Sequence, residues 1–259
     1  MSEPNATSYE PLRTCRPVLG VPIDAITPAG AVQQLLRWAK HRESRVVCIC
    51  NAHSVVSATQ QSAVRAAIET ADMATPDGAP VAWMLRRLGI ADQQRVSGPD
   101  LMVDYFAAAA LAGESIFLFG STEQTLTLLR KELCWRWPTL HIAGNLSPPF
   151  RPLHADEDAE VVRVINLSGA STVWVSLGCP KQELWMAEHR GHIQAVMIGV
   201  GAAFDFHAGT VARAPKWMRD RGLEWLHRLA SEPARLWKRY LVTNTLFILG
   251  AARQLLIPR

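Results

Sequence analysis

The sequence predicts an α/β fold, a largely parallel sheet flanked by helices, with a C-terminal basic helical appendage. Three observations carry this. Up to about residue 200, short apolar β-rich runs alternate with segments of helical period, the pattern left by helical crossovers between parallel strands. The strand-like runs end in small or polar residues, at the edge where such sheets open a ligand crevice. Beyond Gly209 the chain turns basic and rich in tryptophan.

From Met1 to Gly20 the chain mixes Glu3, Pro4, Asn5, Glu10, Arg13 and Arg16, with no apolar run long enough for a signal peptide, so export by that route is not expected. Ala29 to His41 reads as a helix, Arg45 to Cys50 as a buried strand, and Val55 to Thr70 as a second helix. Ala71 to Gly78 reads as a turn built on Pro76, leading into a helix from Ala79 to Leu88. Pro99 suits the first turn of a helix reaching Ala112. Ser115 to Gly120 is a strand and Glu123 to Trp135 a helix. Asp156 is a candidate N-cap for a helix from Glu157 to Ser168. Thr172 to Leu177 and Ala195 to Gly199 complete the strands, with a helix starting at Pro180 between them. Residues 1–208 are read as the catalytic core and 209–259 as a membrane-associating appendage.

A composition that is 49% hydrophobic is enough for a core without staples. The five cysteines are an odd number, and Cys48 and Cys50 sit in a strand, which matches neither a disulfide framework nor a zinc spacing. No window reaches the roughly 18–20 uncharged apolar residues of a spanning helix, so membrane contact is expected to be peripheral. The net charge of +4 is uneven: Ala212 to Arg259 holds ten Lys or Arg against Asp220, Glu224 and Glu232, so the tail is +7 and the rest −3. Such a tail suits a polyanion or an anionic lipid surface.

Candidate chemistry falls at strand ends. Asn51, after the Arg45 strand, either caps the next helix or hydrogen-bonds a ligand. Asp77, between Pro76 and Gly78, is either a cap carboxylate, whose pKa the helix dipole would lower, or a general base. In Gly178-Cys-Pro-Lys-Gln-Glu183, Gly178 permits a close turn, Lys181 and free amides suit a diphosphate, and Gln182 suits sugar hydroxyls. Glu183 reads as a first-turn carboxylate or a ligand group. Gly199-Val-Gly201 lacks the third glycine of a dinucleotide fingerprint. Asp205, between two phenylalanines, must accept hydrogen bonds, as a loop anchor or as a ligand group. Arg95 presents a planar fork for phosphate, and Asp100 stands at a helix start. Asp156-Glu-Asp158 is assigned to helix capping, and the histidines show no metal spacing.

The ordered set Asn51, Pro76-Asp77-Gly78, Arg95-Val-Ser-Gly-Pro-Asp100, Gly178 to Glu183, Gly199 to Asp205, Arg213-Ala-Pro-Lys216 and Gly222-Leu-Glu-Trp225 resembles glycosyltransferase family 26, the WecG/TagA/CpsF group, from about Val18 to Leu241. The resemblance implies a Rossmann-like core with a helical appendage. It also implies inverting, metal-independent transfer of a hexose from a UDP-sugar to a polyprenyl-diphosphate-linked sugar, with no cofactor and no nucleic-acid partner. Asp77 would be the base. Arg95, Gln182 and Asp205 match donor-pocket positions, and Asn51, Asp100, Gly178, Lys181, Gly201 and Arg213 are the further substrate-binding candidates. Ile49 replaces a threonine of one branch, and Gly201-Ala-Ala203 replaces the usual Gly-Gly-Ser/Thr. The form Asn51-Ala-His-Ser-Val55 is similar to GumM-like β-1,4-glucosyltransferases, which favours glucose over N-acetylmannosamine. A homo-oligomer is left open.

Without a metal, the leaving UDP must be met by Arg95, backbone amides and tail cations such as Arg213, Lys216, Arg219, Arg221 and Arg228. From Ala214 on, Trp217, Trp225, Trp237 and leucines alternate with cations, as in interfacial helices. Tyr240 to Ile257 is apolar but interrupted by Asn244, Arg253 and Gln254. The place this implies is the cytoplasmic face of a bacterial inner membrane. The competing reading is a non-catalytic nucleotide or nucleic-acid binding protein with a basic tail.

Overall fold

A computed structural model describes residues 13–256. The opening residues 1–12, most of the stretch read for a signal peptide, lie outside it, as does Ile257. The described chain begins with a hairpin, β1 (Cys15–Val18) and β2 (Val21–Asp24), then α1 (Pro28–Lys40) and β3 (Arg45–Cys50). Next come α2 (Ala52–Gln60), α3 (Ser62–Glu69), β4 (Met73–Pro76), α4 (Gly78–Arg87) and α5 (Gly98–Ala112). β5 (Ser115–Gly120), α6 (Glu123–Arg136), β6 (His141–Leu146), α7 (Ala155–Ser168), β7 (Thr172–Ser176), α8 (Lys181–Glu188) and β8 (Val196–Gly199) follow. The C-terminal part is helical: α9 (Ala203–Ala208), α10 (Lys216–Asp220), α11 (Glu224–Ser231) and α12 (Pro233–Leu256).

The main sheet has six strands in the order β4-β3-β8-β7-β5-β6, and every pairing in it is parallel. Its side chains sort by the two-residue period of a pleated strand into two cores. Val46, Cys48, Cys50, Phe117, Phe119, Val173, Val175 and Met197 face the layer of α2, α3, α8 and the hairpin. Val47, Ile49, Ile116, Leu118, Trp174 and Ile198 face α1, α5 and α6. Trp174 is fully buried there, with Phe106 edge-on at 4.8 Å and Tyr105 at 5.3 Å. Both faces are covered, which is why the strands read as unbroken apolar runs.

Four readings change. The segment ending in Pro76 is not only a turn: Met73–Pro76 is a strand, and it lies at the sheet's edge, where a residue without an N–H is tolerated. The single helix expected from Val55 to Thr70 is two, separated at Gln61, whose backbone is extended (φ −129°, ψ 111°). His154, not Asp156, caps α7 in a capping box with Glu157. Pro180 is the residue before α8, and the helix starts at Lys181.

The C-terminal segment packs on the first core. On α12 Leu236, Thr243, Phe247 and Ala251 are buried, a spacing that keeps one face inward. Gln254 fastens its far end, accepting from Leu19 N–H at 2.7 Å and donating to Pro17 C=O at 2.6 Å. The outer face shows Trp237, Leu241, Ile248, Leu249 and Leu256, each more than half exposed. No helix among the described residues is long and apolar enough to cross a membrane.

Candidate active site

A cleft of about 510 Å³ opens along the carboxyl edge of the sheet and is roofed by α11 and α12. Parallel α/β sheets hold their ligands at this edge. Asn51 and His53 follow β3, Asp77 follows β4, Ser121 and Thr122 follow β5, Gly178 follows β7, and Gly201 follows β8; all line the cleft.

Asp77 holds the N-cap position of α4, yet its side chain makes no capping hydrogen bond, so the cap reading does not describe it. Its amide donates to Cys50 C=O at 3.0 Å, and Gly78 behind it has φ +77°, a conformation that glycine adopts without strain. The carboxyl is partly open to the cleft but otherwise enclosed by protein. Burial pushes its pKa up to about 6 against the pull of Arg95 and the Gly78 amide, with Glu224 and Asp100 adding to the rise. Desolvation thus wins over the helix dipole that spacing alone suggests.

Arg95 is brought beside Asp77 because the segment that carries it is tied to β4: Val96 N–H donates to Pro76 C=O at 2.9 Å. The guanidinium is held by Glu224 at 3.1 Å and Asp100 at 3.4 Å. Asp100 also pairs with Arg213 at 2.7 Å and Arg219 at 3.3 Å. Burial opposes ionisation of Asp100, but Arg213, Ser97 and Arg95 outweigh it and bring its pKa down to about 2. Asp100 and Arg213 therefore form a latch between α5 and the C-terminal segment. They face a neighbouring groove of about 360 Å³, shared with Asp104, Arg136 and His207, and do not line the cleft itself.

Asn51 takes the capping role and also borders the cleft. Its Oδ1 accepts from His53 N–H at 2.9 Å and Ser54 N–H at 3.2 Å, capping α2. Asp205 Oδ1 accepts from Thr125 and Thr210 hydroxyls, each at 3.4 Å; burial raises its pKa against these bonds. Gln182 lines the cleft floor and is buried. Lys181 is exposed and is not among the cleft-lining residues. Lys216 is turned to Asp220 at 2.7 Å, and Arg221 is exposed.

The cations that do line the cleft, besides Arg95, are Arg228, Arg235 and Arg239. Arg235 and Arg239 were missed in the sequence. Their signal is the spacing of Arg235, Arg239 and Thr243, four residues apart and so on one helical face. Arg228 lies over the Phe206 ring at 5.5 Å. Among the described residues the Nε atoms of Arg228 and Arg239 are buried without a partner, and neither side chain is paired with a carboxylate. Burial, together with Arg228 and Arg235, lowers the Arg239 pKa despite Tyr240 and Cys179. His53, also missed, meets Thr243 Oγ1 at 3.3 Å; burial and then Arg239 lower its pKa to about 4, so it is neutral at pH 7. Phe150, 85% exposed, also borders the cleft.

A parallel sheet with a cleft at its carboxyl edge, lined by Asp77 and by Arg228 and Arg239, defines an α/β protein of the ligand-binding kind. A family model described as the glycosyl transferase WecG/TagA/CpsF family matches residues 16–259, and the chain belongs to that family. It is a glycosyltransferase of cell-envelope polysaccharide synthesis, a family that works between a sugar donor and a lipid-linked acceptor.

Proposed function

We propose that this chain transfers a hexose, glucose or N-acetylmannosamine, from a UDP-sugar to a polyprenyl-diphosphate-linked saccharide, inverting the anomeric centre without a metal. The observation that carries the reading is that Asp77 and the two arginines without a carboxylate partner, Arg228 and Arg239, line one cleft. Asp77 follows β4 and Ser121 follows β5, four strand positions apart, or roughly 19 Å at usual strand spacing. An extended sugar nucleotide fits that run. Its nucleoside would take the end formed by Ser121, Thr122, Asp205 and Phe150, its diphosphate the arginines, and its sugar the Asp77 end.

The reaction needs one base. Asp77 accepts the proton of the acceptor hydroxyl as that oxygen bonds to the anomeric carbon, and the bond from that carbon to the phosphate oxygen breaks toward UDP. An elevated pKa makes the carboxylate a better base while leaving it ionised above neutrality. Arg228, Arg235 and Arg239 meet the charge that grows on the departing diphosphate, and a half-closed cleft strengthens that attraction.

The outer face of α12 and Trp217, which is 55% exposed, would lie on an anionic membrane at the cytoplasmic face. Tryptophan suits headgroup depth, and Lys or Arg suits anionic lipid. The base assignment is tested by Asp77→Asn. UDP affinity, measured by calorimetry, is expected to stay within about twofold while transfer falls by roughly 100-fold or more. Transfer at near wild-type rate removes Asp77 from the mechanism.

A further inference from the structure

Beneath the cleft lies a carboxylic acid that the transfer itself does not use. Glu183, in the first turn of α8, is 0% exposed, and Gln182 beside it is 4% exposed. Gln182 Nε2 donates to Glu183 Oε1 at 3.1 Å. Gln182 Oε1 and Glu183 Oε2 have no hydrogen-bond partner among the described residues.

The surroundings favour the neutral acid. Burial pushes the carboxyl up, and its own amide, Gln182 and the Cys179 thiol only partly offset this; none of these is a cation. Cys48 and Cys50 of β3 also sense Glu183, and burial keeps both thiols neutral. Arg239 on α12 acts on Cys179 and is not among the groups acting on Glu183. An unpaired buried charge is so costly that such a group keeps its proton instead.

Gln182 lies against the two glycines at the end of β8. A Cβ on Gly199 would come within 3.0 Å of Gln182 Nε2, and one on Gly201 within 3.5 Å of Gln182 Oε1. Both glycines line the cleft. An amide presents a donor on one side and an acceptor on the other, so whatever holds one side decides what a ligand meets.

We propose that Glu183 is a positioning residue of the donor site: it holds Gln182 Nε2 and so leaves Gln182 Oε1, at the Gly201 floor, as the acceptor for a hydroxyl of the sugar nucleotide. This rests on the cleft being the donor site. Ionisation of Glu183 would place a charge without a cation neighbour under that floor and draw water or polar groups toward it. Donor affinity should therefore weaken as pH climbs through the carboxyl's elevated pKa.

The test is calorimetry of UDP and UDP-glucose against pH on the full chain, for wild type, Glu183→Gln and Glu183→Leu. Glutamine reproduces the neutral acid and its accepting oxygen but cannot ionise. It is expected to hold affinity within about twofold and to remove the alkaline loss seen in wild type. Leucine is expected to weaken binding roughly tenfold, the equivalent of one ligand hydrogen bond. The loss appears with both ligands if the hydroxyl is on ribose, and with UDP-glucose alone if it is on the sugar. Identical pH profiles for wild type and Glu183→Gln overturn the proposal, as does a glutamine variant as weak as the leucine one. The glutamine comparison decides even if leucine fails to fold. Failure of wild type to bind either ligand overturns the donor-site reading, and this proposal with it.

Discussion

At the scale of residues, Asp77 shows how environment overrides position. A carboxylate at a helix N-terminus is expected below its ordinary pKa, whereas enclosure lifts this one to about 6. Two consequences follow from the same shift. The kcat/KM profile should rise with pH along an acid limb of apparent pKa about 6 and then level off, because the base works only when ionised. Folding stability should move the other way. Below the unfolded value near 3.8 the carboxyl is protonated in both states and costs nothing. As pH climbs through the folded value, the native state must hold a desolvated charge, and stability falls. Asp77→Asn should then be more stable than wild type by about 1–3 kcal/mol at pH 8, with no gain near pH 4. Urea unfolding at the two pH values measures this, and a destabilised variant at pH 8 contradicts it. Residue types and spacing made Asp77, Asn51, Gln182 and Asp205 visible as candidates. They could not say that Arg95 and Arg213 would be occupied by Glu224 and Asp100, because those partners lie 129 and 113 residues away.

At the scale of elements, legibility followed burial. β3 and β5 were readable to the residue because both sheet faces are covered and nearly every side chain along them is apolar. β6, at the other edge of the sheet, is only partly buried along most of its length and carries no such run, so it was missed. The β1–β2 hairpin was missed as well, since Arg16, Pro17 and Pro22 interrupt any apolar run there. The C-terminal helices were readable as amphipathic and basic, but which arginines enter the cleft depends on how α12 docks. Asp100 controls part of that docking from α5. Asp100→Ala leaves Arg213 without its bidentate partner and Arg219 without its contact. The expected outcome is faster amide exchange across α10 and α11 and a donor KM raised by roughly tenfold, with the sheet's exchange unchanged. Unchanged exchange in α10 and α11 would show that Asp100 is no latch.

At the scale of the molecule, the sheet and the C-terminal helices divide the labour. All six strands of the main sheet lie before residue 200, while one wall of the cleft and the exposed apolar face come after Gly209. We propose the division at 208/209 as one of function. A chain ending at Gly209 should keep the circular dichroism of the α/β core, lose flotation with anionic vesicles, and bind UDP far more weakly because Arg228, Arg235 and Arg239 are gone. Persistent flotation of that truncated chain would move the membrane contact elsewhere. The account as a whole turns on where the nucleotide lies, and a crystal structure of the full chain with UDP asks this most directly. It should place the diphosphate within hydrogen-bonding distance of Arg228 or Arg239, over Gln182, with its outer phosphate toward Asp77. UDP lodged instead in the groove of Asp104, Arg136 and His207, remote from Asp77 and Gln182, would contradict it.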